Sequence, residues 1–414
     1  MRKRAQLFIV GFGLAVLFSQ TVSAQWVRTN GTRGGYIYSI AVGNTGVLFA
    51  GTDSGVFRST NNGTDWAMVD SGLTDSTVYS LAVSGTGVLY AGTDYEGVFR
   101  STDNGTSWTM VDSGLTDSTI YSLAVSGTGV LFAGTAYGGV FRSSNNGTSW
   151  TEVNTGITDS TIYTLAVSSA GNVFAGSDVQ GVFRSSNNGT SWTMVNAGIG
   201  DSSVQALTIS SNGALYVGTY YGYIFRSTNE GTNWTVVDTN SSDSTIYSLA
   251  ASGNTIFAVT NNGIIVSVNS GTSWAAFDSG LTNSGSITSL ALSGNYLFAG
   301  TYDGGIWRRS LSNLIGVIEH NPAPRVSLPV DFTMNVPGHK NPRATIAFSL
   351  ARFELVTVKI YTLSGHEVAT PVDGYFAAGR HGLTWDTEKL AAGSYTVRMQ
   401  AGQKSVVKSF MMGR

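Results

Sequence analysis

The stretch GVFRSTDNGTSW, residues 97–108, occurs upstream as GVFRSTNNGTDW at 55–66. Downstream it returns as GVFRSSNNGTSW at 139–150 and 181–192, YIFRSTNEGTNW at 223–234 and IIVSVNSGTSW at 264–274. Trp66, Trp108, Trp150, Trp192 and Trp234 fall every 42 residues, and Trp274 arrives two residues early. A period of this length, built from short strand-like segments, is the mark of propeller blades. Within one unit, residues 79–84, 88–93, 98–102 and 108–112 read as four strands separated by Gly, Asp, Asn and Ser turns. Large Tyr79, Leu81 and Val83 alternate with small Ser80, Ala82 and Ser84, which suits crowded packing beside a narrow central channel. Helical periodicity is absent.

Counting strand types gives the number of blades. The second-strand type occurs seven times, as VLFAGT, VLYAGT, VLFAGT, NVFAGS, ALYVGT, TIFAVT and YLFAGT. The third type also occurs seven times, ending at Gly305-Ile306-Trp307-Arg308, but the fourth follows only six of them. Trp26-Val27-Arg28 lies just ahead of the first unit, where a fourth strand would be. The expectation is an all-β chain whose residues 25–311 form a seven-bladed β-propeller, with the N-terminal strand completing the last blade and removing free sheet edges.

The flanks read differently. Arg2, Lys3 and Arg4 precede an apolar run at 7–18, and Val22-Ser23-Ala24 offers small residues for cleavage, so residues 1–24 are expected to be a signal peptide. The alternative, a single membrane anchor, needs a longer run of about 20 apolar residues. No later stretch is apolar for that long, so no transmembrane segment is expected after cleavage. There are no cysteines, which removes disulfides and thiolate metal sites. Pro322, Pro324 and Pro329 mark the stretch around a linker at 312–327, and residues 328–414 read as short strands with turns at Gly365, Gly374, Gly379, Gly393 and Gly402. Residues 25–311 carry nine arginines, no lysine and eighteen acids, a net of −9, whereas 312–414 carry eleven bases against seven acids, a net of +4. Two compositions imply two domains, and the acidic, lysine-free body argues against a nucleic-acid partner.

The repeated hairpin consists of Ser59, Asn61, Gly63 and Trp66, then Ser101, Asp103, Gly105 and Trp108, then Ser143, Asn145, Gly147 and Trp150. It continues with Ser185, Asn187, Gly189 and Trp192, then Ser227, Asn229, Gly231 and Trp234, and finally Ser267, Asn269, Gly271 and Trp274. Asn or Asp hydrogen-bonds turn backbone, the following glycine suits a tight hairpin, and Trp supplies a large apolar cap. The pattern resembles the Asp-box of sialidase-type propellers, found also in sortilin-like receptors and a photosystem II assembly factor. That resemblance implies a structural box away from the catalytic face, which licenses a fold and not an activity. The competing reading is a ring of ligand sites at the boxes. Arg58, Arg100, Arg142, Arg184 and Arg226 recur at one position per unit and are expected to pair with strand or turn carboxylates.

The tail segments TIAFSL, VTVKIYTLSGHEVATPVDG and GRHGLTWDTEKLAAGSYTVRMQAG, with a last apolar strand through Phe410, resemble the type IX secretion system C-terminal sorting domain, an immunoglobulin-like β-sandwich. The family's Asn-Pro-Phe-Asn-Pro opening keeps only Asn341-Pro342 here. The resemblance implies type IX secretion machinery as a partner and a secreted or outer-membrane surface location in a Gram-negative bacterium, reached through the periplasm. An adhesion or stalk sandwich without a sorting role is the alternative.

Catalysis needs unlike groups with separated pKa values. All four histidines lie outside the repeats, which hold only three glutamates, so no catalytic residue, metal or cofactor is assigned. The expected function is a monomeric binding or adhesion propeller that takes a polysaccharide or surface glycan. The alternatives are a sialidase-like or xyloglucanase-like glycoside hydrolase, and an extracytoplasmic assembly scaffold. The ligand candidates come from the loop between second and third strands, which varies most between units: Asp53, Asp94, Tyr95, Tyr137, Asp178, Tyr220, Tyr221, Tyr302 and Asp303. Strand alternation puts these loops opposite the tryptophan hairpins, beside the connections carrying Asp75, Asp117, Asp159, Asp201 and Asp243. Tyrosine joins an apolar face to a polar tip, which suits sugar rings and their hydroxyls.

Overall fold

The computed structural model describes residues 25–32, 35–238, 245–282, 287–303, 305–312 and 314, and in the tail 332–335, 343–350, 354–376, 379–387, 390–401 and 404–412. The leader read at 1–24, Asp243, most of the linker and Asn341-Pro342 lie outside them. The described chain is all-β, with seven four-stranded sheets ahead of the tail. Blade 2 is typical: Val78–Val83, Leu89–Thr93, Val98–Ser101 and Thr109–Met110 pair in sequence order, from innermost to outermost. The outermost strand is shorter than its sequence suggests. Trp108 leaves the ladder because its backbone N–H donates to Ser71 O in the preceding connection, at 2.8 Å.

Each apolar core lies between two blades. Phe49 and Val56 of blade 1 pack with Val78, Leu89, Phe99 and Trp108 of blade 2, and Ile37 and Leu48 pack with Phe298 and Ile306 of blade 7. Burial at about 25 cal/mol per Å2 therefore stabilises neighbours jointly, so that a blade depends on the one beside it. Val27–Arg28 joins blade 7 as its outermost strand, with Val27 opposite Arg308 and Arg28 opposite Trp307.

The tryptophan hairpins stitch the ring. In the second of them the Ser101 hydroxyl donates to Asp103 Oδ1 (2.7 Å) and accepts the Gly105 N–H (2.9 Å). Where asparagine stands, Asn145 Oδ1 accepts the Ser149 N–H and its amide donates to Ser149 Oγ. Five of the six hairpin tryptophans then reach back one blade: Trp108 Nε1 donates to Val69 O, Trp150 to Val111 O, and so on to Trp274 and Val237 O, at 2.7–2.9 Å. Trp26 does the same to Phe277 O at 2.7 Å, and so supplies from the N-terminus the tryptophan that blade 7 lacks. The seventh indole, that of Trp66, is buried with its Nε1 unpaired. At Gly63 (φ +71°) a Cβ would lie 2.3 Å from Phe298, so both backbone and space require glycine there.

The recurrent arginines do not pair with carboxylates as expected. Residues Asn62, Asn104, Asn146, Asn188 and Glu230 sit at φ between +54° and +57°, which turns their carbonyls out of the hairpin. Arg58, Arg100, Arg142 and Arg184 each donate to the carbonyl of the next blade's left-handed residue, at 2.7–3.1 Å, and Arg308 does so on Asn62 O at 2.7 Å, whereas the Arg226 Nε is buried without a partner and Val266 stands at this position in blade 6. Arg309 of blade 7 follows Arg308 as Ser59 follows Arg58, at the place of the hairpin serine. Its guanidinium is buried, lies 3.8 Å over Phe277 and donates to Phe277 O, and burial lowers its pKa to about 10.

The tail forms two sheets. One comprises Phe332–Asn335, Arg343–Leu350 and Gly379–Asp386, and the other Glu367–Phe376, Glu354–Thr362, Gly393–Ala401 and Lys404–Met412. Ile346 and Phe348 of the first share a core with Val356, Val358 and Val397 of the second. Two antiparallel sheets sealing one apolar layer make a sandwich.

Candidate ligand-binding face

The face opposite the tryptophan hairpins begins with a repeated irregularity. In six blades the pairing of innermost and second strands skips one residue: Tyr38, Tyr79, Tyr121, Tyr163, Gln205 and Thr288. A bulge inserts an extra residue and re-aims its side chain. Blade by blade, the extra residue stands where the innermost strand enters from the connection, at the channel mouth.

The bulged tyrosines meet across blade boundaries. Ring centroids are 4.8 Å apart for Tyr38 and Tyr79, 5.7 Å for Tyr79 and Tyr121, and 5.6 Å for Tyr121 and Tyr163. Tyr36 extends the arc, 6.1 Å from Tyr38 and 3.9 Å from Tyr302. Six tyrosines thus run without a gap around one side of the mouth. Gln205 and the half-exposed Tyr247 hold the matching positions in blades 5 and 6.

Carboxylates back this arc. Partial burial, the charge of Asp94 and a hydrogen bond to it raise the Tyr79 hydroxyl pKa. Burial and Asp178 push Tyr163 up to about 12. The Tyr302 hydroxyl, by hydrogen bond and then by charge, raises Tyr36, and Asp53 adds to the shift of both Tyr36 and Tyr38. The Tyr36, Tyr38, Tyr79 and Tyr163 phenols are thus all held further toward the protonated form.

The loop residues divide into two groups. Asp53, Asp94 and Asp178 lie against the arc, and Tyr302 is part of it. Asp303 is exposed and accepts the Thr301 hydroxyl at 2.6 Å. Tyr95, Tyr137, Tyr220 and Tyr221 stand exposed, at 73, 80, 54 and 59%. Tyr220 and Tyr221 form their own edge-to-face pair at 5.3 Å. The connecting aspartates hold the loops: Asp75 Oδ2 accepts the Tyr95 N–H (2.8 Å), Asp117 Oδ2 that of Tyr137 (2.6 Å), and Asp159 Oδ2 that of Val179 (2.8 Å). They act as loop clamps, with their acceptor capacity spent on backbone.

Sequence reading missed Tyr36, Tyr38, Tyr121, Tyr163 and Tyr247, and took Tyr79 for a packing residue. The available signal was the Ile/Val-Tyr-Ser/Thr that recurs at the start of five of the seven innermost strands, where a large polar-tipped residue follows a buried one. Period-two reasoning cannot see it, because a bulge breaks the period.

Among the described residues no group of three or more His, Cys, Asp or Glu could hold a metal ion, and no helix is long and apolar enough to cross a membrane. No curated protein matches the chain in sequence. Among solved structures it is similar to the extracellular domain of a one-component system from B. thetaiotaomicron (15% identity, TM-score 0.57, covering 95% of this chain and 58% of that one). It is also similar to PorZ, a bacterial surface component of the type IX secretion system of Porphyromonas gingivalis (17%, 0.53, 92% and 59%). A third likeness is to the GH74 xyloglucanase of Xanthomonas campestris (17%, 0.57, 79% and 59%). The chain thus spans less than two thirds of the length of these structures, and at such identity the likeness is one of fold. Residues 340–412 match the secretion system C-terminal sorting domain. Residues 21–161 and 118–245 match the DUF6242 beta propeller domain and together cover more than half of the sequence, so the chain belongs to the DUF6242 β-propeller family.

Proposed function

We propose that this protein is a surface-exported propeller that binds a polysaccharide or surface glycan on its tyrosine face, without turning it over. The observation that carries the reading is the unbroken arc from Tyr302 through Tyr36, Tyr38, Tyr79 and Tyr121 to Tyr163. Aromatic faces stack on the apolar faces of sugar rings, while phenols and nearby carboxylates take up their hydroxyls. Asp53, Asp94 and Asp178 supply such acceptors, and exposed Tyr95, Tyr137, Tyr220 and Tyr221 extend the surface outward. The serine–asparagine–tryptophan hairpin, read as an Asp-box, is assigned to the scaffold, because its serine and Asn or Asp side chains are spent on hydrogen bonds within the hairpin.

The test is a glycan and polysaccharide binding screen of the protein run beside a hydrolysis assay. Binding without product supports a binding module. Product release would move the protein to the glycoside hydrolases, the reading that the likeness to a xyloglucanase keeps open. The match of residues 340–412 to the sorting domain supports export by type IX secretion machinery to the cell surface through the periplasm. Removing residues 328–414 should trap the protein in the periplasm of its native host. Unchanged extracellular yield of the truncated chain would count against it.

A further inference from the structure

Charge is segregated across the ring. Arg58, Arg100, Arg142, Arg184 and Arg308 place their guanidinium groups at the hairpin face, bound to carbonyls there, and Arg309 is buried between blades. The propeller sequence contains no lysine. The tyrosine face carries Asp53, Asp94, Glu96, Asp178 and Asp303 on the loops between second and third strands, and beneath them the clamping Asp75, Asp117, Asp159 and Asp201. The one arginine described at this face is Arg28, beside Gly305 in blade 7, at the edge of the ring.

Two independent features therefore coincide at the mouth: a continuous run of aromatic rings, and a set of carboxylates beside which one arginine is described. A uronic acid or sulfated sugar would meet like charge on entering. A protonated amine would meet both an opposite charge and the negative face of an aromatic ring. Asp94 and Asp178 are the carboxylates whose charge and hydrogen bonding raise the Tyr79 and Tyr163 hydroxyls, so they sit beside the rings whose centroids lie 5.6–5.7 Å from Tyr121.

Resting on the glycan-binding reading above, we propose that the ligand class is a polysaccharide bearing free amino groups, bound by cation–π contacts along the arc from Tyr38 to Tyr163 with Asp94 and Asp178 as counter-charges. The acetylated form of the same chain loses the cation and binds more weakly. Acidic glycans are excluded.

The experiment measures calorimetric affinity of the full chain for three ladders of matched length: β-1,4-glucosamine oligomers, their fully N-acetylated forms, and oligogalacturonates, with oligolysine as a fourth probe. The expected result is at least about tenfold tighter binding of the amino oligomer than of its acetylated form at low salt, with the gap closing as salt screens the carboxylates. It should also shrink in a folded Asp94→Asn/Asp178→Asn variant, judged folded by an unchanged melting temperature. If that variant does not fold, the salt dependence of the wild-type preference decides. Equal affinity for amino and acetylated oligomers, or tighter binding of the galacturonate, overturns this inference and leaves the glycan reading standing. Binding of oligolysine with no binding of any sugar overturns both, and points to a basic peptide.

Discussion

The two faces of the ring are built from one repeat and have opposite fates. At the hairpin face six near-identical copies spend most of their polar atoms on the scaffold: serine on the glycine of its own hairpin, five of the six indoles on the previous blade, and four of the guanidinium groups on the next. At the tyrosine face the loops differ from blade to blade, the aspartates that recur are clamps, and the side chains left over are exposed. Repetition marks the surface that closes the ring, and variation marks the surface that is free to recognise something. This separation is the usual one between a scaffold and its loops, and here it can be tested by substitutions that act on one face alone.

The largest expected effect is at the closure. Trp26 is buried, contacts Phe277 edge-on and supplies the last inter-blade indole bond, so Trp26→Ala should cost about 3–5 kcal/mol in denaturant unfolding. A loss below about 1 kcal/mol would mean that the N-terminal strand is ornamental. Next comes Ser143→Ala, which strands the Gly147 N–H and frees Asn145. About 1–3 kcal/mol should be lost, with no change in glycan affinity. Tyr216→Phe should work the other way. Its hydroxyl is buried without a partner at a position where five blades carry Phe, so removing it should stabilise the protein by about 1 kcal/mol.

Two further substitutions sharpen the contrast. Tyr220→Ala with Tyr221→Ala removes two exposed rings and should change stability by less than about 0.5 kcal/mol while weakening any measured glycan binding. Full affinity in that folded double variant would remove both residues from the site. The last effect is confined to acid. The Ser107 hydroxyl, the Ser107 N–H and Ser101 hold Asp103 down to about 2, against 3.8 for the free side chain. A depressed carboxylate contributes stability that is complete above the unfolded value and is lost as pH falls toward the folded one. Asp103→Asn, which copies the other five hairpins, should therefore be neutral at pH 7 and should flatten the acid limb between about pH 4 and 2. An unchanged acid limb would show that Asp103 is not held as the geometry implies.

Much of the fold was legible because it is written in repetition. The period of the tryptophans, the strand-type count and the displaced Trp26-Val27-Arg28 pointed to the seven four-stranded sheets and the pairing of Val27–Arg28 with Ile306–Ser310. The arginines were legible as structural but not in their partners, because the carbonyls they bind are exposed only by the left-handed turn of Asn104 and its equivalents. The tyrosine arc was legible only at its rim. Tyr95, Tyr137, Tyr220, Tyr221 and Tyr302 stand on variable loops, where variation itself gives them away, whereas Tyr38, Tyr79, Tyr121 and Tyr163 recur in register and looked like packing. A repeated bulge turns recurrent residues outward, and neither composition nor alternation reports it.

The central claim is that the bulged tyrosines form the binding surface and the hairpins do not. Its most direct measurement is the affinity of Tyr79→Ala/Tyr121→Ala for whichever glycan binds the wild type, titrated beside Ser143→Ala, with the melting temperature of each recorded. The prediction is a loss of at least about tenfold, or ~1.4 kcal/mol, in the tyrosine variant and wild-type affinity in the less stable serine variant. Wild-type affinity in a folded Tyr79→Ala/Tyr121→Ala protein, or lost affinity in a folded Ser143→Ala protein, would contradict the account.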